Sequence, residues 1–256
     1  CCVEALEKAL GAKPSEQTML LRKLAMYGTI IRDHALHLYI YCLPGLLGKD
    51  SLLDLVGKQK HLIEDCFRMK AAGNALTTLV AGKAVHPSYP TIGGFTQLPD
   101  KKAVPLVRRA LSACRDDAIE LAKLYAEQKE HFTRKTDFVS LITPDFSHIE
   151  GRIHDTRGLD IAEKDYLDHL ERVVIPYSQA TSFELEGKEY MVGALARMNL
   201  NRKALHRDTK RAASDMLGVF PSNDVYMNNL AQAIEILHCI DHSLELLEGA
   251  EFRREK

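Results

Sequence analysis

Between Ser15 and Cys42 apolar residues return every three or four positions: Leu20, Leu24, Tyr27, Ile31 and Leu38, with His34 filling the missing turn. Such spacing lays one apolar stripe along a helix, and a stripe of that length must be buried against other elements. Pro14 and Ser15 mark the start and Pro44-Gly45 the stop. The partners are expected to be further helices. Lys58 to about Leu79 carries a second helical pattern. Pro105 opens a third, with Val107, Leu111, Cys114, Ala118 and Leu121 on one face. A last helix is expected from about Ser222 to Leu247, with Leu230, Ile234, Leu237, Leu244 and Leu247 on its buried side. The fold class that follows is mainly α (α+β), a long-helix bundle with a small antiparallel β insertion.

The insertion comes from the middle of the chain. Ala81 to Pro99 is rich in Gly and Pro and contains Gly93-Gly94, and Asp137 to Asp160 mixes apolar and polar residues around Gly151. Ser182 to Leu185 and Glu189 to Val192 flank the turn Glu186-Gly187 and read as a hairpin. Ala162 to Val174 reads as a short helix. Residues 1–80 and 103–130 are thus expected to be helical, 81–102 and 137–194 rich in turns and strands, and 200–250 helical again. No repeat, low-complexity tract or long linker divides residues 1–256, so a single domain is the expectation.

Composition narrows the function. Of 256 residues 46% are hydrophobic, and the formal charge is −1, which gives no broad basic field for nucleic acid or an anionic membrane. No apolar run approaches the ~20 residues that span a bilayer. The start, Cys1-Cys2-Val3-Glu4, reads neither as a signal peptide nor as a transit segment, but as the interior of a longer sequence. Six cysteines are present, and Cys42, Cys66, Cys114 and Cys239 sit singly in helical patterns, as buried free thiols do. Without a disulfide framework a reducing cytoplasm is the expected location. No CxxC pair exists, so a cysteine-built zinc site is not expected.

Three constellations could carry chemistry. His34 and His37 lie three apart on the first long helix and share a face, which suits a ligand pair, a proton relay or ordinary core hydrogen bonding. Glu235, His238 and His242 form E-x-x-H-x-x-x-H on the last helix. A Glu-x-x-His is half of a di-iron carboxylate site, but a second copy is not found, and a helix contact is the simpler reading. The segment Tyr190-Met191-Val192-Gly193-Ala194-Leu195-Ala196-Arg197-Met198-Asn199 reads as a strand end running into a loop, with Arg197 and Asn199 beside an apolar block. Gly82-Lys83 and Gly93-Gly94 fit neither phosphate-loop spacing, and no G-x-S-x-G elbow occurs.

Several blocks, taken in order, resemble the large subunit of nickel–iron hydrogenases, of the cytoplasmic multi-subunit type. They are Ala5-Leu6-Glu7-Lys8-Ala9-Leu10-Gly11, Leu20-Leu21-Arg22-Lys23-Leu24, His34-Ala35-Leu36-His37-Leu38-Tyr39 and Leu43-Pro44-Gly45. Further on come Gly82 to Pro87 with Gly93-Gly94-Phe95, Glu150-Gly151-Arg152, Pro176-Tyr177-Ser178, Val192 to Asn199, and Glu235-Ile236-Leu237-His238. The resemblance covers nearly the whole chain. It implies an oxidoreductase that splits H2 reversibly into protons and electrons. It also implies a nickel–iron centre with carbon monoxide and cyanide ligands. The partners it implies are an iron–sulfur small subunit, with further electron-transfer subunits beyond. The family pattern has proline where this chain has Ala194, and often aspartate where it has Gly45.

In that family two CxxC motifs supply four cysteines to the metals, and neither motif is in this sequence. Cys1 and Cys2 fall after the place of the first motif and receive no ligand role. The chain therefore reads as scaffold without catalytic residues or metal ligands of its own, expected to be inactive alone, with His34, His37, Arg197 and Asn199 as candidates for supporting the centre. Two alternatives stay open here. One is a degenerate relative that serves as a structural or interaction subunit, and the other is a helical metal protein built on Glu235, His238 and His242. A scaffold of this kind is expected to expose apolar surface and to self-associate.

Overall fold

Ser15 sets the start of the long helix by chemistry local to it. Its Oγ accepts the amide of Thr18 at 3.0 Å, which satisfies one of the four unpaired donors of a helix start. The computed structural model describes residues 2–254. In chain order the helices are α1 (Cys2–Leu10), α2 (Glu16–Ala35), α3 (Leu43–Leu46), α4 (His61–Ala81), α5 (Val104–Ala113), α6 (Arg115–Ala126), α7 (Ala194–Asn201), α8 (Arg207–Ala212) and α9 (Met227–Leu246). The strands are β1 (Pro90–Thr91), β2 (Gly94–Phe95), β3 (Asp137–Ile142), β4 (Arg152–Asp155), β5 (Asp160–Ala162), β6 (Leu170–Val173), β7 (Ser182–Leu185) and β8 (Tyr190–Met191). No helix among the described residues is long and apolar enough to cross a membrane. The mainly helical architecture with small sheets is the one the apolar spacing implies.

Two compact units divide the chain: Cys1–Leu124 with Ala233–Lys256, and Tyr125–Gln232. The first is helical. α2 packs along α4 at a very close crossing, where Gly28 and Gly73 face each other. A Cβ on Gly28 would lie 2.7 Å from the Gly73 carbonyl oxygen, and one on Gly73 would lie 2.6 Å from the Gly28 carbonyl oxygen. Neither helix could approach so closely with a side chain there. Leu24, Tyr27, Ile31 and Leu38 from the predicted stripe are fully buried. The chain does not run as one α-helix to Cys42, however. From Leu36 to Cys42 it widens into a π-helix, a distortion with no periodic mark in the sequence. The helix opened at Pro105 is likewise interrupted at Cys114, between α5 and α6.

α1 is fixed to this bundle by one buried carboxylate. Glu7 is 2% exposed and takes both terminal nitrogens of Arg22, at 2.8 and 2.6 Å, while its Oε1 also accepts the Gly93 amide at 2.6 Å. The β1–β2 hairpin is thereby tied to α1 and α2. The Arg22 guanidinium holds the Glu7 carboxyl below the usual carboxylate range, helped by the Gly93 amide and opposed by burial.

The second unit holds the sheets. Strand order is β5-β4-β3-β8, with β4 antiparallel to β3 and to β5 but β8 parallel to β3, so the insertion is mixed rather than purely antiparallel. The turn Glu186-Gly187 forms as expected. Both residues have positive φ, 51° and 65°, and Leu185 and Lys188 exchange backbone hydrogen bonds at 3.0 and 3.1 Å. Beyond that one bridge the hairpin parts: β7 pairs with β6, and β8 with β3. Ala162–Val174 is not a helix. It is the end of β5, a 3-10 turn over Glu163–Asp168 and then β6, whose strand pairing outweighs local helical spacing. The last helix starts at Met227, and the residues from Ser222 form the loop before it.

Candidate functional site

In the first unit, α9 meets α2 through polar groups set into an apolar contact. His34 Nε2 lies 2.8 Å from Glu235 Oε2, and the Tyr27 hydroxyl lies 2.8 Å from His242 Nδ1. The two bonds are seven residues apart on each helix and run in opposite directions, which fixes an antiparallel register. Glu235 and His238 are fully buried, and Tyr27 is too. The His238 ring meets Tyr27 edge-on, with centroids 5.7 Å apart, and lies 5.5 Å from the His242 ring. Arg115 adds a third fixing point, with its Nε 2.7 Å from Asp241 Oδ1. A buried carboxylate needs such partners, because an unpaired charge in the core is costly.

The sequence places His34 and His37 on one face, but the π-helix sends them to different neighbours. His34 goes to Glu235, whereas His37 Nε2 lies 3.4 Å from Cys42 Sγ at the far end of the π segment. Glu235, His238 and His242 are drawn together at the α2 contact. Among the described residues, one group of three His, Cys, Asp or Glu side chains has its ligating atoms within 4.8 Å of one another: His61, Asp65 and Glu120. His61 and Glu120 are exposed, and Asp65 is held by Arg68, which also reaches Asp117 at 2.8 Å.

In the second unit the sequence reading of the Val192–Asn199 segment needs correction. It is not a loop. The chain leaves β8, turns at Gly193 with φ 107°, and enters α7, so that Arg197 and Asn199 are helical residues. Gly193 supplies a conformation that a side chain would strain. Asn228 Oδ1 accepts the Leu195 amide at 3.1 Å and so caps the helix start from α9 residues of the same unit. Asn199 does fix a loop, though from outside it: its Nδ2 donates to the Ser222 carbonyl at 2.8 Å, and its Oδ1 accepts the Ser222 amide at 2.9 Å. Ala194 occupies the first helical position, where proline is tolerated because no intrahelical bond is lost, so the departure from the family pattern leaves the local fold intact.

A nickel–iron centre asks for thiolates. The residues present do not fit one. Cys2, Cys42, Cys66, Cys114 and Cys239 are free thiols, three of them buried, and Cys1 lies outside the described residues. Burial pushes the Cys66 thiol up to about 11 and that of Cys114 to about 12, the latter helped by Asp117, so both stay protonated at neutral pH. The one group of closely set potential ligands among the described residues contains no cysteine. No step of metal chemistry can be derived from these side chains.

The fold itself is that of a hydrogenase large subunit. It superposes on an NAD+-reducing [NiFe]-hydrogenase in the H2-reduced state with TM-score 0.81 and 20% identity, over 99% of this chain and 64% of that one. A [NiFeSe] hydrogenase from Desulfovibrio vulgaris Hildenborough aligns with TM-score 0.68 and 15% identity, over 96% of this chain and 64% of that one.

The sequence relatives are hydrogenase alpha or large subunits. The alpha subunit of sulfhydrogenase 1 from Pyrococcus furiosus is 28% identical over 252 residues, 97% of this chain and 59% of that protein. The alpha subunit of sulfhydrogenase 2 from the same organism is 29% identical over 246 residues, 96% of this chain and 58% of that protein. No protein-family model matches the chain. The chain spans less than two thirds of the length of these two sulfhydrogenase relatives.

Proposed function

We propose that this chain is the scaffold portion of a nickel–iron hydrogenase large subunit, whose complete form converts H2 into two protons and two electrons and runs the reverse reaction. The observation that carries this reading is the coverage: alignable sequence over 97% of the chain, with the large-subunit fold over 99% of it. The nickel–iron centre would be held by thiolates these residues do not supply. An iron–sulfur small subunit would take the electrons, with further electron-transfer subunits beyond it, and the assembly would work in the cytoplasm. This chain's contribution is mechanical. The α2–α9 register set by His34, Glu235, Tyr27 and His242 holds one unit; in the other, Gly193 and Asn228 hold the β8–α7 turn and Asn199 holds the loop at Ser222. Both supply rigid backbone on which reactive groups could be placed.

The test is H2-dependent viologen reduction by the complete gene product, co-expressed with maturation proteins and its small subunit. Activity is expected from the complete protein and none from residues 1–256 alone. A matured complete protein that takes up no H2 and carries no nickel would overturn the reading.

A further inference from the structure

Two helices of the first unit bring three metal-ligating side chains together at the start of α4. His61 is the first residue of α4 and Asp65 stands one turn further on, so both lie on one face. Glu120 meets them from the middle of α6, and one ligating atom from each of the three lies within 4.8 Å of the other two. His61 Nε2 and Glu120 Oε1 are 3.1 Å apart. Two donor atoms each about 2.1 Å from one zinc ion stand about 3.0–3.4 Å apart, for angles between octahedral and tetrahedral. The pair thus has the spacing of one edge of a coordination shell, held at present by a hydrogen bond.

Asp65 adds an independent sign that positive charge is wanted here. It is 5% exposed, and Arg68 holds its Oδ1 while reaching Asp117 Oδ2 at 2.8 Å. Outer partners of this kind fix a ligating carboxylate in place. A carboxylate has about four acceptor sites on its two oxygens, so the bond from Arg68 leaves capacity for an ion. Within this group Asp65, Asp117 and Glu120 meet one guanidinium, an excess of two negative charges. Burial, and after it Asp117, pushes the Asp65 carboxyl above the usual carboxylate range, although Arg68 and His61 pull it down. The buried Tyr39 hydroxyl, on the π segment, is pushed up by burial and then by Asp65, Asp117 and Glu120 among its neighbours. One imidazole with two carboxylates suits a borderline ion such as Zn2+ better than Mg2+, which prefers oxygen throughout. Exposed His61 and Glu120 leave further coordination positions to water.

We propose that His61, Asp65 and Glu120 form a divalent transition-metal site of the zinc class, which clamps the start of α4 to α6. The probe is Zn2+, titrated into the full chain by calorimetry, with Mg2+ as the comparison. Free thiols also take zinc, so the quantity read is the difference between wild type and two variants of exposed residues, His61→Ala and Glu120→Gln. Glu120→Gln keeps a hydrogen-bond partner for His61 while removing the anionic ligand. Each variant is expected to lose one zinc equivalent, or to bind it at least about tenfold more weakly, with an unchanged circular dichroism spectrum. Zn2+ should raise the melting temperature of wild type more than that of either variant, because a ligand of the folded state stabilises it by mass action. Mg2+ should bind at least about tenfold more weakly than Zn2+. No zinc binding to wild type, undiminished zinc binding in either variant, an equal melting shift in all three proteins, or Mg2+ binding as tight as that of Zn2+ overturns the proposal.

Discussion

Glu7 and Arg22 come from two sequence blocks that carry the hydrogenase resemblance, and the structure joins them in one bidentate pair with the Gly93 amide as a third partner. Neither residue stands out in the sequence as a candidate, because a pair made across a helix–helix turn leaves no spacing signal. Their loss should be costly. Glu7→Gln leaves a 13% exposed guanidinium without its charge partner and is expected to destabilise by about 3 kcal/mol in urea unfolding. The pH dependence has a definite sign. The folded carboxyl titrates below its unfolded value of about 4.3, so its contribution is fully present above that value and is lost as pH falls through the lower folded one. Wild type and Glu7→Gln should therefore converge in stability as pH falls below about 4. A constant gap across that range would contradict the assignment.

His34 and Glu235 are legible singly, each as a polar residue beside a helical apolar stripe. Their pairing is not, since 201 residues separate them. A double-mutant cycle checks the pairing. Glu235→Leu alone should leave the half-buried His34 without its carboxylate, and His34→Leu alone should remove this partner from the buried Glu235, each costing about 2–3 kcal/mol. The double variant should recover a large part, with a coupling of about 1 kcal/mol or more. Additive losses would show that the pair is not a unit.

At the scale of elements, what is local is readable in the sequence and what is pairwise is not. Ser15 starts the first long helical run as its sequence implies, because a cap acts through neighbouring backbone. Pro44 and Gly45 do not stop it: they lie inside α3, where proline at a first-turn position is tolerated. The run ends after Leu46, with Gly48 at φ 65°. The π-helix from Leu36 escapes, as its wider hydrogen bonding shares the residue types of an α-helix. Leu167, Leu170 and Val174 imitate helical spacing, but Leu170 through Val173 pair with Ser182 to Leu185, a partner that spacing cannot name. The parallel pairing of β3 and β8 is hidden for the same reason. The Gly28–Gly73 crossing is the element-scale feature most open to test. Gly73→Ala would set a methyl 2.6 Å from the Gly28 carbonyl oxygen and 2.8 Å from the Arg32 backbone nitrogen. The helices must part, and a loss of about 2–3 kcal/mol is expected despite alanine's better helix propensity. A thermal melt unchanged or raised in Gly73→Ala would refute the close crossing.

At the scale of the molecule, the chain carries a hydrogenase large-subunit fold over less than two thirds of the length of its sulfhydrogenase relatives. Each unit presents large apolar side chains to solvent: Tyr41 and Leu53 in the first, 77% and 75% exposed, and Tyr177 and Val174 in the second, 92% and 81% exposed. In a complete assembly such residues are candidates for covered surface. The isolated chain should self-associate at micromolar concentration, with light scattering giving a mass above its 28.7 kDa. A monodisperse monomer would count against a missing cover. The fold is legible in the sequence because helical periodicity marks its long helices and the ordered blocks run through nearly all of it. The reactive site is not, because the side chains here supply positions and no thiolate pair. The coding DNA on either side of these residues therefore tests the central claim most directly. The scaffold reading predicts one continuous reading frame with a CxxC codon pair upstream of Cys1 and another downstream of Lys256. A frame that opens and closes at these residues with no CxxC in it would contradict that reading.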